Sequence, residues 1–391
     1  MRILFVCENY IPHYGGAEVV FKNLAENYVK LGHEVSLVTH RLKDTKTEEK
    51  INGVQVYRVN SLNSRYVFTF TALLKAIKLA RKHDLIQTTT FNGAPPAWVA
   101  SKIARKPVVL TVHEVWVGKW KELTSFPRWK CLIHDLLEKA IYLLSYDHYI
   151  CVSKATKNDL LNLKLPRKIP TSKIETIYNG LDYEFWNEKD LDQQKIKAIK
   201  RDLGLENKFV YFAWGRPGES KGFEYLIQAV PLISQQLPNS VLVLMFGSID
   251  KYPQKYAQLM ALIRNLNLQD KIRIIPPVSH QQLRYYLKAF DCAVIPSIAE
   301  GFGFNAVEAI TMGIPAVVSK AGSLPEIVSG KYLLFESRNS VDLAEKVILI
   351  AQGKYNQEAV RKYDWETSVK KYLEVYQRLL SNHKNESNLK S

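Results

Sequence analysis

The chain has 391 residues, 47% of them hydrophobic, which is enough apolar material for two domains, each with its own core. Its four cysteines form no Cys-x-x-Cys pair, which argues against a disulfide framework or a cysteine-bound zinc and favours a reducing cytosol. The formal net charge of +16 favours anionic partners such as phosphorylated ligands, anionic lipid or nucleic acid.

The N-terminal half alternates strand-like runs with helical patterns, beginning with a buried strand rather than a signal peptide. Residues 17–32 form an amphipathic helical pattern that ends in a glycine cap. Alternation of this kind predicts a parallel sheet with helices on both faces. The strand-like runs of this half are RILFVC, EVSLVTH, DLIQTTT, PVVLTVHE and YDHYICVS.

A charged connector at 187–208 separates this half from a second series of the same kind. The second series contains FVYFAWG, VLVLMFG, IRIIPPV, CAVIPS, PAVVS and YLLFE. We therefore predict two doubly wound α/β domains, 1–186 and 187–363, that face each other across a cleft. A last helix at 364–381 is expected to return to the N-terminal domain, and the polar tail 382–391 to be disordered.

Ligands of open parallel sheets bind beyond the carboxyl ends of the strands, so the loops after the strands are the candidate sites. Gly15 and Gly16 precede the first helix, where glycine permits close approach of the backbone and the helix start attracts anions. A simple tight turn is the alternative. His113 ends a strand of the N-terminal half, which favours a functional role over a structural one.

The stretch WGRPGESKGF in the second half places Arg216 and Lys221 in a glycine-rich loop after a strand. A planar guanidinium and a compact ammonium suit the two phosphates of a diphosphate. Two surface cations without a ligand are the alternative. The stretch is not a phosphate-binding loop of the GxxxxGK[ST] kind.

The stretch AEGFGFNAVEA carries Glu300 and Glu308 on either side of a glycine turn. GFGFNA formally matches a dinucleotide fingerprint, but the next strand ends in Lys320 instead of the required acid. The backbone N–H groups of Gly303, Phe304 and Asn305 would instead meet a phosphate, and each glutamate would accept hydrogen bonds from a diol. A nucleotide-sugar has a diol on each side of its diphosphate.

These two glutamates, with seven residues between them, resemble the paired-glutamate signature of family 4 retaining glycosyltransferases, glycosyl transferases group 1, which have the GT-B fold. GGAE resembles the family's N-terminal glycine loop, and IYNGLDYEFW resembles the segment before its linker. Residues 276–328 resemble its nucleotide-sugar region almost throughout. The resemblance implies transfer of a sugar, with retention, from a UDP-, GDP- or ADP-sugar to an acceptor.

The resemblance also implies roles for the candidate residues. Glu308 would bind the ribose, and Glu300 would contact the donor sugar. Arg216 and Lys221 would neutralise the leaving diphosphate. The implied catalytic residues are Glu300, His113, Arg216 and Lys221, and the implied donor-binding residues are Gly15, Gly16, Gly303, Phe304, Asn305 and Glu308.

No cofactor or metal is expected. The only Asp-x-Asp motif, Asp190–Asp192, lies in the charged connector and indicates a solvated surface. Residues 115–147 mix tryptophans with lysines, which is typical of contact with anionic membrane and suggests a lipid-linked or cell-surface glycan acceptor. A core helix is the alternative for the apolar part of this segment. We expect a cytoplasmic protein, peripheral on the inner face of the membrane.

Three other activities compete with this interpretation. A nucleotide-sugar epimerase or hydrolase of the GT-B fold would release sugar without an acceptor. A phosphorylase of that fold would need a much longer chain with a lysine for pyridoxal phosphate. A nucleic-acid-binding protein would use the basic aromatic stretch, but no nucleic-acid-binding module is present in the sequence.

Overall fold

The computed structural model describes residues 1–13 and 15–388, with only the backbone of 386–388. Tyr14, in the predicted glycine loop, and residues 389–391 lie outside the described residues. The chain divides into two compact units. The N-terminal unit contains 1–118, 129–180 and the part from 363 onward, and the C-terminal unit contains 119–128 and 181–362. The chain thus changes unit close to the predicted boundary at 186/187, and the excursion of 119–128 was not predicted.

The described residues of the N-terminal unit form a sheet in the order β3-β4-β2-β1-β5-β6-β7-β8, in which only the edge strand β3 runs antiparallel to its neighbour. Parallel strands covered by helices on both faces read as continuous apolar runs, as in VVLTV of β6. The strands are β1 (Arg2–Val6), β2 (Glu34–His40), β3 (Glu48–Ile51), β4 (Val54–Val59), β5 (Leu85–Thr89), β6 (Val108–Val112), β7 (His148–Cys151) and β8 (Ile174–Thr176).

The C-terminal unit has a second sheet, in the order β11-β10-β9-β12-β13-β14-β15 over its described residues, again with one antiparallel edge strand, β15. The predicted α/β class is therefore confirmed in both units. The strands are β9 (Phe209–Gly215), β10 (Ser240–Phe246), β11 (Ile272–Ile275), β12 (Cys292–Ile295), β13 (Ala316–Ser319), β14 (Lys331–Phe335) and β15 (Asn356–Gln357).

Helices follow most of the parallel strands and bury their apolar faces against the sheets. The first helix ends as its sequence predicts, because Gly32 adopts a φ of +80° just beyond its last turn. The helices are α1 (Gly16–Lys30), α2 (Arg65–Ala80), α3 (Ala94–Ala104), α4 (Trp120–Leu123), α5 (Arg128–Leu143), α6 (Lys154–Leu161), α7 (Gln193–Asp202), α8 (Phe223–Gln236), α9 (Pro253–Asn265), α10 (His280–Ala289), α11 (Phe304–Thr311), α12 (Leu324–Ile327), α13 (Ser340–Ala351) and α14 (Trp365–Asn388).

The last helix, α14, lies in the N-terminal unit and contacts α1. The hydroxyl of Tyr28 donates a hydrogen bond of 3.3 Å to the hydroxyl of Tyr376, and both rings are fully buried. The helix is longer than predicted. Residues 382–388, which we expected to belong to a disordered tail, continue it as helix, because no helix-breaking residue interrupts this polar sequence.

Candidate functional site

The C-terminal sheet has a topological switch point at its first strand. β9 lies between β10 and β12, so the chain leaves β9 towards one side of the sheet and returns later on the other side. The loops that follow β9 and β12 therefore leave neighbouring strands at the carboxyl edge, which is where open parallel sheets bind ligands. The predicted residues Arg216 and Lys221 follow β9, and Glu300 and Glu308 follow β12.

The loop after β9 and the loop after β12 are joined by backbone contacts. The N–H of Ile298 donates a hydrogen bond of 2.8 Å to the carbonyl of Ser220. Gly222 has a φ of +63°, and a Cβ there would lie 2.1 Å from the carbonyl oxygen of Pro296. Only glycine permits this approach. The contact brings the turn that carries Lys221 against the end of β12.

Lys221 and Glu300, 79 positions apart in the sequence, form an ion pair. Ser297, buried at the end of β12, donates a second hydrogen bond of 3.0 Å to the same carboxylate oxygen of Glu300. The backbone of Glu300 is fixed as well, because its carbonyl accepts hydrogen bonds from the N–H and the hydroxyl of Ser323. The carboxylate is thus held in one orientation before any ligand binds. Ser297 and Ser323 were not predicted as site residues.

Arg216 differs from Lys221 in its surroundings. Its side chain is exposed, and across 1–13 and 15–388 its guanidinium has no ion pair or hydrogen-bond partner. A free guanidinium and a paired ammonium in the same loop suit a ligand with two negative groups.

Helix α11 begins at the turn between the two glutamates. Gly303 precedes it with a φ of +87°, and none of the described side chains caps the N–H groups of its first turn. The amide of Asn305 donates a hydrogen bond of 2.8 Å to the carbonyl of Trp214, which ties the helix start to the end of β9. The ring of Phe304 contacts that of Phe302, with centroids 5.1 Å apart. Uncapped N–H groups at a helix start are suited to an anion.

Glu308 lies on the second turn of α11 and is only 7% exposed. Loss of hydration raises the pKa of its carboxyl to about 8, although a hydrogen bond from the Trp214 side chain and the charge of Lys221 act in the opposite direction. A buried carboxyl of this kind is mostly protonated at pH 7. A strongly raised pKa of this kind is typical of carboxyls in ligand-binding sites.

In the N-terminal unit, Gly16 opens α1 and Gly15 precedes it in extended conformation. A Cβ at Gly15 would lie 2.4 Å from a carboxylate oxygen of Glu18, so the glycine makes room for that side chain. A Cβ at Gly16 would meet nothing within 4 Å among the described atoms. The space above Gly16 is therefore open, as a glycine facing a ligand requires. The carboxylate of Glu18 pairs with His13 at 3.3 Å.

His113 directly follows β6 in the N-terminal unit. Its Nε2 is buried and accepts or donates no hydrogen bond in the part of the chain that the structure describes. Loss of hydration lowers the pKa of the imidazole to about 4, and the nearby Glu18 raises it only slightly against this. The ring packs edge-on against Phe21. Burial thus favours a neutral imidazole, whose Nε2 lies in the interior without a partner among the described residues.

The aromatic and basic segment 115–147 does not form one surface. Trp120 is buried and Trp116 is half-buried. The indole N–H of Trp116 donates a hydrogen bond of 2.8 Å to the carboxylate of Glu114. Phe126 lies in the C-terminal unit, whereas Trp129 lies in the N-terminal unit. The alternative that the apolar part of α5 belongs to the core holds for Ile141 and Tyr142, whereas the leucines of this helix are exposed. None of the helices in the described ranges is long and apolar enough to cross a membrane.

The Asp-x-Asp motif has a structural explanation. Asp192 is the N-cap of α7, and its carboxylate accepts hydrogen bonds from the N–H groups of Gln194 and Lys195 at 2.8 and 3.4 Å. Over residues 1–13 and 15–388, three or more histidine, cysteine or acidic side chains nowhere gather as a metal site.

Two protein families match the chain, one in each half. Residues 14–185 match the family described as Glycosyltransferase Family 4. Residues 195–366 match the family described as Glycosyl transferases group 1. The two matches together cover most of the chain and meet close to the point where it passes between the units.

Relatives are similar along nearly the whole chain. An uncharacterized glycosyltransferase of Methanocaldococcus jannaschii is 29% identical over 96% of this chain and 98% of its own. The GPI3 subunit of phosphatidylinositol N-acetylglucosaminyltransferase from Saccharomyces cerevisiae is 23% identical over 97% of this chain and 83% of its own. A D-inositol 3-phosphate glycosyltransferase of Corynebacterium jeikeium is 24% identical over 93% of this chain and 92% of its own.

Solved structures share the fold. HepE of Anabaena, in complex with UDP and glucose, has a TM-score of 0.73 at 20% identity, over 97% of this chain and 100% of its own. A glycosyltransferase of Rickettsia africae has a TM-score of 0.75 at 22% identity, over 97% and 99%.

Proposed function

Since this chain belongs to the family 4 glycosyltransferases, with the GT-B fold, we propose that it transfers a sugar, with retention, from a nucleoside-diphosphate sugar to a hydroxyl acceptor. One observation carries the proposal. The loops after β9 and β12 bring a lysine, a fixed carboxylate, the uncapped start of α11 and a buried glutamate to the switch point of one sheet.

The donor diphosphate is assigned to the positive groups of this edge. Lys221 and Arg216 supply the charges, and the N–H groups of Phe304 and Asn305 supply fixed dipoles. These groups stabilise the charge that develops on the phosphate when the sugar leaves. The ion pair with Glu300 holds the ammonium of Lys221 in place at this edge.

The two glutamates are assigned to the two diols of the donor. Glu308 binds the ribose hydroxyls, because these donate hydrogen bonds to its buried carboxyl. Glu300, held by Ser297 and Lys221, contacts the donor sugar. Phe304 and Asn305, at the helix start, lie next to the phosphate and influence which sugar is accepted.

The reaction forms a bond between the acceptor oxygen and the anomeric carbon and breaks the bond between that carbon and the phosphate oxygen. In a retaining transfer the acceptor attacks from the leaving-group side. The acceptor proton then passes to the departing phosphate oxygen, so no separate protein base is needed. NMR of the product linkage tests this mechanism, and an inverted anomer contradicts it.

The family resemblance also assigns residues of the N-terminal unit to donor binding. Gly15 and Gly16 are assigned to the donor phosphate, which agrees with the open space above Gly16. The neutral imidazole of His113 is assigned to the donor sugar, because a neutral ring can exchange a hydrogen bond with a hydroxyl without adding charge.

We propose that the reaction needs no metal, because Arg216, Lys221 and α11 supply the positive charge that a metal would provide. Transfer should therefore persist in excess EDTA. Loss of transfer in EDTA, with recovery on addition of Mg²⁺ or Mn²⁺, contradicts this part of the proposal.

The acceptor is proposed to be lipid-linked, and the protein to act peripherally at the cytoplasmic face of a membrane. The names of the GPI3 subunit and of the inositol phosphate glycosyltransferases support an acceptor with a phosphorylated inositol headgroup. The net charge of +16 favours an anionic acceptor of this kind.

The test is a panel of UDP-, GDP- and ADP-sugars, each incubated alone, with D-inositol 3-phosphate, and with phosphatidylinositol vesicles. Release of nucleoside diphosphate that depends on an acceptor supports transfer. Release that is equal without acceptor favours the hydrolase or epimerase alternative. No turnover of any donor contradicts the proposed function.

A further inference from the structure

Two helices of the N-terminal unit expose their apolar faces together. Helix α5 turns His134 and Glu138 inward and its leucines outward, and only its last turn buries large apolar residues, Ile141 and Tyr142. Among the described residues, eighteen large hydrophobic side chains are exposed, and ten of them lie on α5, on α2 or in the turn before α2. They are Leu62, Tyr66, Phe70, Leu74, Trp129, Leu132, Ile133, Leu136, Leu137 and Leu143, which we call the α2–α5 face.

The inner side of α5 is fixed by polar contacts. The carboxylate of Glu138 is buried and accepts a hydrogen bond of 2.9 Å from the N–H of Trp116. The carboxylate of Asp135 accepts a hydrogen bond of 2.7 Å from the N–H of Gly118. If the helix rotated to bury its leucines, these carboxylates would lose their partners. The exposure of the leucines is therefore built into the fold.

Helix α2 continues the same surface. The hydroxyl of Tyr66 lies 2.8 Å from Nε2 of His134 on α5, and their rings are in edge contact. Phe70 and Leu74 follow on the next turns and are 76% and 79% exposed. Spacing of four residues keeps these side chains on one side of the helix. The two helices thus meet through Tyr66 and His134, and exposed apolar residues extend along each helix from this contact.

The charges around this face are mainly positive, although Lys75 pairs with Glu48 and Lys139 with Asp135. From Asn60 to Asp147, a range that includes both helices, the sequence has 13 lysines and arginines and six acidic residues. Helix α3, which packs alongside α2, carries Lys102 next to the exposed Ile103. Apolar side chains surrounded by cations match the hydrocarbon boundary and the anionic headgroups of a bilayer.

We propose that the α2–α5 face docks the protein onto an anionic lipid bilayer. The inference deepens the proposed function, on which it rests for the lipid-linked acceptor. It names the surface, which keeps only α5 of the predicted segment 115–147 and adds α2. A second copy of the chain is a poorer occupant, because two copies meeting through this face would bring basic residues against basic residues.

The test is cosedimentation of the full chain with vesicles of phosphatidylcholine, with and without phosphatidylglycerol. The double variants Phe70→Gln/Leu74→Gln and Leu132→Gln/Leu136→Gln remove apolar area from α2 and α5 separately. Leu31→Gln is the matched control, because Leu31 is 58% exposed in the same unit but away from the face. Circular dichroism checks that all three variants are folded.

The wild type should bind only the anionic vesicles, and each double variant should bind them about ten-fold or more weakly. The control should bind like the wild type. Absence of wild-type binding at low salt, or equal binding by the double variants, overturns the proposal. A wild-type dimer that the double variants convert to monomer, without vesicle binding, also overturns it and assigns the face to self-association.

The donor panel keeps this proposal separate from the proposed function. The double variants should release nucleoside diphosphate with D-inositol 3-phosphate at the wild-type rate, and lose turnover only with vesicle-bound acceptor. Vesicle binding without turnover of any donor would leave the docking face standing and contradict the proposed function. Turnover with soluble acceptor but no vesicle binding would support the proposed function and contradict the docking face.

Discussion

Glu308 should destabilise the protein at neutral pH, and the size of this effect follows from its burial. The pKa of its carboxyl is raised from 4.5 to about 8 in the folded protein. The folded state therefore keeps a proton that the unfolded chain releases above about pH 4.5. The stability contributed by this proton is fully present in acid, falls as pH rises from about 4.5 to about 8, and changes no further above that.

Each pH unit in this window lowers the free energy of unfolding by about 1.4 kcal/mol. At pH 7, Glu308 therefore lowers it by about 3 kcal/mol. Glu308→Gln replaces the carboxyl by a neutral group of the same shape. Relative to the wild type, the variant should gain about 2 to 3 kcal/mol of unfolding free energy between pH 5 and pH 7. Urea denaturation followed by circular dichroism at pH 5, 6, 7 and 8 measures this difference.

Glu345→Gln is the matched control. Glu345 lies on α13 in the same unit with its side chain 63% exposed, so the carboxylate keeps its hydration on folding. Its variant should follow the pH dependence of the wild type. If the curve of Glu308→Gln also runs parallel to that of the wild type, Glu308 is ionised in the folded protein, and the reasoning from burial is refuted.

Three further predictions concern other residues of the two units. Gly222→Ala should cost about 2 kcal/mol or more of unfolding free energy, because the added Cβ would collide with the carbonyl of Pro296 at a positive φ; urea denaturation no different from wild type would contradict the close approach. Ser297→Ala removes one hydrogen bond from Glu300 and should lower kcat/KM about five-fold with the donor Kd unchanged; unaltered kinetics would show that the serine does not orient Glu300. In the wild type, the depressed pKa of His113 should reduce stability as pH falls from 6.5 towards 4, because only the unfolded chain gains the proton. His113→Asn should lose less stability over that range, and an equal acid sensitivity would contradict the burial of the ring.

The central strands of both sheets could be predicted because each is buried on both faces and has a continuous apolar sequence. FVYFAWG, for instance, coincides with β9. The edge strands β3 and β15 could not be predicted, because EEKI and NQ are polar and pair on one side only. The excursion of 119–128 was also missed, since a crossing between units depends on tertiary contacts.

The candidate site was predictable in its residue types but not in its pairings. Glycines, cations and glutamates after strands mark the carboxyl edge of a parallel sheet, and this pattern singled out Lys221 and Glu300. Their mutual ion pair depends on β9 and β12 being neighbours, which is a property of strand order. For the same reason Ser297 and Trp214 were missed, because an ordinary serine or tryptophan at a strand end gives no signal of its own.

The exposed face of α5 shows a third limit of the sequence. The apolar residues of this helix recur at helical spacing, which is usual for a core helix as well as for a docking helix. Only the partners of Glu138 and Asp135 decide which side is buried.

The central claim is that the edge after β9 and β12 binds a nucleoside diphosphate through Glu308. Isothermal titration calorimetry of UDP, GDP and ADP against the wild type and Glu308→Gln, at pH 6 and pH 8, tests it most directly. One nucleotide should bind the wild type more tightly at pH 8 than at pH 6, because the carboxylate then accepts hydrogen bonds from both ribose hydroxyls. At pH 8 the same nucleotide should bind the variant about ten-fold more weakly than the wild type. Equal affinity of the wild type and the variant at pH 8 would contradict the claim.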